Sequence, residues 1–176
     1  MINRFQIRPS MVGEAAAIEE LYRAAFPEED LLPLVRDLLG SRQGVLSLVG
    51  LDPSSIIAHV ALSDCRIEGC DAKVALLGPL AVAPRAQGKG AGSALVRDAL
   101  DRLMRAGFAR VYVLGDPGYY GRFGFETERG VEPPYPLVAQ WRAAWQSVGL
   151  GTGVAPGGPG RLVVGEPWLR PALWAP

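Results

Sequence analysis

The stretch Leu77 to Ser93, LGPLAVAPRAQGKGAGS, leaves the chain few ways to fold. Leu76 to Val82 is a short apolar run of strand character, and Pro84 stops it because proline has no amide hydrogen to continue a ladder. Gln87 to Gly92, QGKGAG, then places glycine at alternate positions, where the backbone can take positive φ and a ligand can approach the main chain closely. From Ala91 the spacing predicts an amphipathic helix, with Leu95, Val96, Ala99, Leu100, Leu103 and Met104 on one face and Arg97, Asp98, Asp101, Arg102 and Arg105 on the other. The first amides of a helix lack intrahelical acceptors and carry about half a unit of positive charge. Strand, glycine turn and helix together therefore make an anion site out of main chain. Each hydrogen bond to a charged group contributes about 1.5–3 kcal/mol, so a handful holds a diphosphate.

What the motif lacks narrows the ligand. A Walker loop needs glycine where Ala83 stands and serine or threonine where Gly90 stands. A dinucleotide fingerprint wants a third glycine where Ser93 stands, and an uninterrupted strand before it. The strand here is interrupted by Gly78–Pro79. Proline inside a sheet belongs at a bulge or an edge, so this pair is expected either to mark an edge strand or to part the strand from one neighbour. In the second case the N–H groups of Leu80, Ala81 or Val82 face a gap, where an amide-bearing ligand can add as a pseudo-strand. A ligand with amides at one end and a diphosphate at the other is coenzyme A.

These residues carry a family resemblance. QGKGAG after LAVAP, with Gln87, Gly90 and Gly92 in a Q/RxxGxG/A pattern, resembles the acyl-CoA-binding motif of the GNAT superfamily of N-acetyltransferases. Leu114 to Phe125, LGDPGYYGRFGF, is similar to the segment that closes the same site in that superfamily. With GPLAVAP it resembles a small bacterial branch of N-acetyltransferases. The match covers about residues 2 to 127. The resemblance implies an α/β (α+β) fold: a mixed, mostly antiparallel twisted sheet with a central splayed parallel strand pair, flanked by helices. It also implies acetyl-CoA as co-substrate, with Leu80, Ala81, Val82, Gln87, Gly88, Lys89, Gly90, Ala91, Gly92 and Ser93 around it, and no metal.

Composition sets outer bounds. With 176 residues, 49% of them hydrophobic, the chain suits one domain with a real core, here expected as a core of about 2–127 and a C-terminal extension, 128–176, packed on it. Eighteen basic and eighteen acidic side chains cancel, so no global charge favours nucleic acid or an anionic membrane. MINRFQIRPSM has no apolar targeting region, and a cytoplasmic protein is the default. Cys65 and Cys70 flank a turn-like IEG; with one histidine in the chain they make no zinc spacing and read as reduced structural thiols.

In chain order, residues 2 to 8 predict a strand, Glu14 to Phe26 a helix, and Leu31 to Leu39 a second helix ended by Gly40. Glu28, Glu29 and Asp30 read as the first turn of that second helix or, as the resemblance implies, as a loop over the acceptor pocket that attracts a cationic amine. Val45 to Val49 and Ile56 to Leu62 predict a hairpin turning at Asp52–Pro53; His59, the sole histidine, lies in its second strand as a structural group or a base. Ala109 to Leu114 predicts a strand parallel to Leu76–Val82, because a helix connects them. Asp116–Pro117 caps a short helix through Phe123 that carries Tyr119 and Tyr120 at the carboxyl end of a strand, where α/β sheets bind ligands. Beyond Glu126 a helical patch with Val138, Trp141 and Trp145, a connector GLGTGVAPGGPG, a strand Arg161–Gly165 and the tail WLRPALW are expected to drape on the sheet, the tail capping a pocket or a dimer interface.

The chemistry that follows is acetyl transfer to a primary amine, of a small molecule or a peptide, by direct attack in a ternary complex. A backbone N–H at Leu80 would polarise the thioester carbonyl. In the YxxxGF pattern of the resemblance, Tyr120 would protonate the departing thiolate, with Tyr119 as the alternate acid. An amine of pKa about 10.4 also needs a base; Glu28, Glu29, Asp64, His59 and a water chain all remain open, with Glu28 nominated first. The alternative function is a non-catalytic acyl-CoA-binding or sensing module.

Overall fold

A computed structural model describes residues 5–41, 43–151 and 159–176. Residues 2–4 of the expected first strand, and the centre of the GLGTGVAPGGPG connector, lie outside them. The described chain runs β1 (Gln6–Pro9), α1 (Ala15–Ala25), α2 (Leu32–Gly40), β2 (Val45–Leu51), β3 (Ile56–Ile67), β4 (Cys70–Val82), α3 (Ala91–Arg105), β5 (Arg110–Leu114), α4 (Pro117–Tyr120), β6 (Glu126–Thr127), β7 (Val131–Glu132), β8 (Trp145–Gly149) and β9 (Gly160–Val163). The sheet order is β1-β2-β3-β4-β5-β8-β6, with β9 pairing β3 and β7. β4 and β5 are parallel, as a helical crossover through α3 requires, and β5–β8, β6–β8 and β1–β2 are antiparallel. The mixed, mostly antiparallel sheet expected from the sequence is thus present.

Two interleaved units divide the chain: Met1–Leu62 with Gly78–Ala99, and Ser63–Leu77 with Leu100–Pro176. The first holds β1, β2, α1, α2 and the glycine turn. Its core gathers Ile18, Leu21 and Tyr22 of α1, Val35 of α2, Val49 of β2 and Ala81 of β4, all buried. β1 includes Pro9, opposite Leu48, which an edge strand tolerates because the missing N–H costs no ladder bond. Glu14 precedes α1 rather than opening it: its carboxylate accepts from the Met11 N–H at 2.7 Å and pairs with Arg8, which holds it below the usual carboxylate range.

The second unit is built on aromatic rings. Tyr112 stacks on Trp145 with centroids 5.5 Å apart, Trp145 meets Trp174 edge-on at 5.9 Å, and Trp174 meets Trp168 at 6.1 Å. Each indole N–H has an acceptor: Val131 C=O for Trp145, Ser63 Oγ for Trp168 and Trp168 C=O for Trp174. The tail WLRPALW therefore buries both of its tryptophans within this unit, which is how an amphipathic ring is accommodated in a core.

The structure departs from the sequence expectation at three places. Both strands of the β3–β4 hairpin are longer than the apolar runs Ile56–Leu62 and Leu76–Val82, because the added arm alternates exposed Asp64, Arg66, Asp71 and Lys73 with buried Cys65, Ile67 and Val74. Its tip is Glu68–Gly69, and both cysteines are free. Trp145 is not part of a helical patch: the 3₁₀ segment Ala139–Ala144 ends before it, and the ring is fully buried at the start of β8. Met104 is 46% exposed, off the buried face of Leu95, Val96, Ala99 and Leu103.

Candidate functional site

The β4–β5 ladder pairs Val74 with Arg110, Ala75 with Val111 and Leu76 with Tyr112, and its register ends there, although β4 continues to Val82 and β5 to Leu114. Two residues beyond the last pair lies Gly78–Pro79, a cis peptide. In the first unit, the end of β4 then packs Ala81 into the core while Leu80 and Val82 stay half-buried.

The turn that follows is tied down by its own side chains. Gln87 Nε2 donates to Val82 C=O at 3.1 Å, Lys89 Nζ to Arg85 C=O at 2.9 Å, and the Arg85 guanidinium to Asp52 Oδ2 at 2.7 Å and Ser55 Oγ at 2.6 Å. That guanidinium, with Ser54, holds the Asp52 carboxyl far below its ordinary value, so it stays ionised. Gly88 and Gly90 have φ of 70° and 91°, and a Cβ on either would meet nothing within 4 Å. Glycine is needed there for conformation, and the space beside the main chain is open. Gln87 to Gly90 are exposed, Ala91 and Gly92 are buried at the start of α3, and Ser93 is half-buried.

Arg85 and Asp52 are 33 residues apart in sequence, and no motif advertises their pairing. Asp52→Ala is expected to loosen the turn and raise the Kd for CoA about two- to fivefold, the size an exposed ion pair supports; calorimetry checks it.

Glu28, Glu29 and Asp30 are exposed in the turn between α1 and α2. They are not the first turn of α2, which contains no acidic residue and is preceded by Leu31. They border a cavity of about 300 Å³ whose apolar wall includes Tyr22, Phe26 and Leu32. A larger cavity of about 490 Å³ lies at the opposite ends of α1 and α2, bordered by Ser10, Glu19, Leu39 and Ser47, and none of the candidate catalytic or CoA-binding residues lines it.

His59 is buried on β3. Its Nδ1 is 2.8 Å from Tyr22 Oη and its Nε2 is 2.8 Å from Ser47 Oγ, which in turn lies 2.7 Å from Ser10 Oγ. Burial pushes the imidazole down to about 3, so it is neutral at physiological pH, with both nitrogens engaged. These contacts support the structural reading over the base. A folded-state pKa below the unfolded value near 6.5 stabilises the fold above pH 6.5, and that contribution is lost as pH falls toward 3. Between pH 7.5 and 5, above most carboxylate titration, wild type is expected to lose about 2 kcal/mol that a His59→Gln variant does not, read from urea unfolding at each pH.

In the second unit, Asp116 caps α4 by accepting the Gly118 N–H at 2.8 Å, and Gly124, at φ 89°, closes the 3₁₀ turn Gly121–Phe123 that follows. Tyr120 is 9% exposed and packs edge-on against Tyr119 and Phe125. No described residue hydrogen-bonds its hydroxyl. Burial, and then Tyr119, raise its pKa, so the phenol keeps its proton. Tyr119 is half-buried, with the Arg122 guanidinium 4.7 Å over its ring. Among the described residues no group of side chains is arranged to hold a metal, and no helix is long and apolar enough to cross a membrane.

A mixed sheet whose parallel β4–β5 ladder stops at Leu76–Tyr112, with β4 leading on to a glycine turn that opens α3, has the arrangement of an acetyltransferase fold. The chain belongs to the acetyltransferase (GNAT) family, whose model matches residues 15–125. It is similar to the uncharacterized N-acetyltransferase YhbS of Escherichia coli K12, with 37% identity over 121 residues, 68% of this chain and 72% of that one. It is also similar to YjhQ of the same strain, named likewise an uncharacterized N-acetyltransferase, with 31% identity over 156 residues, 85% and 86% of the two chains. Among solved structures, Escherichia coli YhbS in complex with CoA superposes with a TM-score of 0.83 at 31% identity, over 95% of this chain and 93% of that one. A GNAT family acetyltransferase from Brucella melitensis in complex with acetyl-CoA gives 0.74 at 28% identity, over 93% and 97%.

Proposed function

We propose that this chain moves the acetyl group of acetyl-CoA to a primary amine by direct attack in a ternary complex. The observation that carries the reading is the turn Gln87–Gly90, open beside Gly88 and Gly90, which lies between the end of β4 and the first turn of α3. Its amides, with those of Ala91, Gly92 and Ser93, hold the diphosphate, and the end of β4 from Leu80 to Val82 takes the amide-bearing arm as a pseudo-strand. The Leu80 N–H polarises the thioester carbonyl. The neutral amine nitrogen bonds to the carbonyl carbon, the carbon–sulfur bond breaks, and the thiolate takes a proton from Tyr120 Oη, with Tyr119 as alternate. The tyrosinate regains a proton as the new amide sheds its own. Complexes of similar proteins with CoA and acetyl-CoA support the donor.

For the acceptor, the exposed Glu28, Glu29 and Asp30 beside an apolar cavity favour a cationic amine with a carbon chain, and Glu28 takes its proton. The compartment proposed is the cytoplasm, where free thiols such as Cys65 and Cys70 persist. A screen of small and peptide amines with thiol-release detection tests the reading. Amine-dependent release supports it; acetyl-CoA binding without release from any amine transfers the assignment to a non-catalytic acyl-CoA-binding module.

A further inference from the structure

Gln146, the second residue of β8, is a polar side chain 1% exposed, opposite Val113 on β5. Burying an amide is costly unless its hydrogen bonds are made. Its Nε2 donates to Gly115 C=O at 2.9 Å and to Ala144 C=O at 3.3 Å, and the Gly115 N–H donates to the same Ala144 carbonyl at 2.9 Å. Both peptide groups of Gly115 are thereby fixed at the junction where β5 gives way to α4. The Tyr120 ring lies directly on that junction: a Cβ on Gly115 would stand 2.4 Å from Tyr120 Cε2 and 2.9 Å from Cδ2, distances no Cβ tolerates. The ring also meets Tyr119, Phe123 and Phe125, with centroids 5.0, 6.4 and 5.6 Å away. The floor under Tyr120 is therefore the α-carbon of a glycine whose position Gln146 determines.

We infer that Gln146 is a positioning residue for Tyr120, acting through the backbone of Gly115. The inference rests on the reading of Tyr120 as the acid. A misplacement of a reacting group by about 1 Å can cost on the order of 100-fold in rate, so a hydrogen bond to the carbonyl of the glycine under the ring has leverage on turnover without touching substrate. A leucine or methionine at position 146 would fill the volume and leave Gly115 C=O without its donor.

The test is a double-mutant cycle between Gln146→Leu and Tyr120→Phe, with the amine selected by the acceptor screen, together with ¹³C-tyrosine spectra of each protein. Gln146→Leu is expected to lower kcat about tenfold with KM for acetyl-CoA within twofold, to shift the Tyr120 ring resonance, and to have no further effect in the Tyr120→Phe background. Gly115→Ala, which keeps Gln146 and displaces the ring directly, is expected to shift the same resonance and lower kcat at least as far, and it serves if Gln146→Leu folds poorly. Equal losses from Gln146→Leu in both backgrounds, or an unmoved Tyr120 resonance, overturn the inference while leaving the acid in place. Full turnover by Tyr120→Phe removes the acid assignment and this inference together.

Discussion

Tyr120→Phe is expected to lower kcat about 100-fold while leaving KM and Kd for acetyl-CoA within a factor of two. General acids contribute about 10²–10⁴ in rate, and the lower end applies here because a thiol of pKa near 8.5 already leaves as a fair anion. The substitution removes one oxygen and keeps the ring, so the packing on Tyr119, Phe123 and Phe125 survives. Because no described residue bonds the hydroxyl, its loss strands no partner, and the thermal midpoint should stay within about a degree or two. Tyr119→Phe, run beside it, should leave kcat nearly unchanged; if the losses are reversed, Tyr119 is the acid. Steady-state kinetics by thiol release, with circular dichroism for stability, decides both.

The second large effect concerns the turn. Replacing Gly90 by valine forces a β-branched residue to φ of 91°, and doing the same at Gly88 forces another to 70°; left-handed backbone costs about 1–2 kcal/mol for an ordinary residue and more for a branched one. No neighbouring atom obstructs either Cβ, so the turn relieves this by flipping its peptides rather than by shifting side chains. A flipped peptide aims its carbonyl where its N–H was, and each lost hydrogen bond to a diphosphate removes about 1.5–3 kcal/mol. Gly90→Val is therefore expected to raise the Kd for CoA about 100-fold and the double variant further, with the fold intact. Gly90→Asn, which tolerates left-handed backbone, should retain most of the affinity. Calorimetric titration with CoA separates these outcomes: equal affinity in wild type and Gly90→Val would mean the diphosphate is held elsewhere.

Much of the site-bearing segment was legible because glycine and proline punctuate it. Pro84 ends β4, Gly88 and Gly90 take the positive φ their spacing suggests, and Asp116–Pro117 starts α4 with the cap its residue types favour. The parallel pairing of β4 and β5 followed from the helix between them. What escaped did so for physical reasons. The outer arm of the β3–β4 hairpin alternates charge with apolar residues, and a search for continuous apolar runs passes over alternation. Glu28 to Asp30 have the composition of a helix start, yet α2 begins only after Leu31. Trp145 lies among helix-like neighbours but is claimed by β8, because its ring stacks on Tyr112 and its N–H reaches Val131. The Arg85–Asp52 clasp and the Gln146–Gly115 bond join residues far apart in sequence, and nothing local in either partner foretells the other.

In the function proposed, main-chain amides at the end of β4 and in the turn before α3 hold the donor. The most direct measurement is a ¹H–¹⁵N correlation spectrum of wild type titrated with acetyl-CoA. The largest shifts should fall on the N–H signals of Leu80, Val82, Gly88, Lys89, Gly90, Ala91 and Gly92, with the turn signals reproduced by CoA lacking the acetyl group. Saturation with those signals unmoved, and shifts gathered instead at another surface, would contradict it.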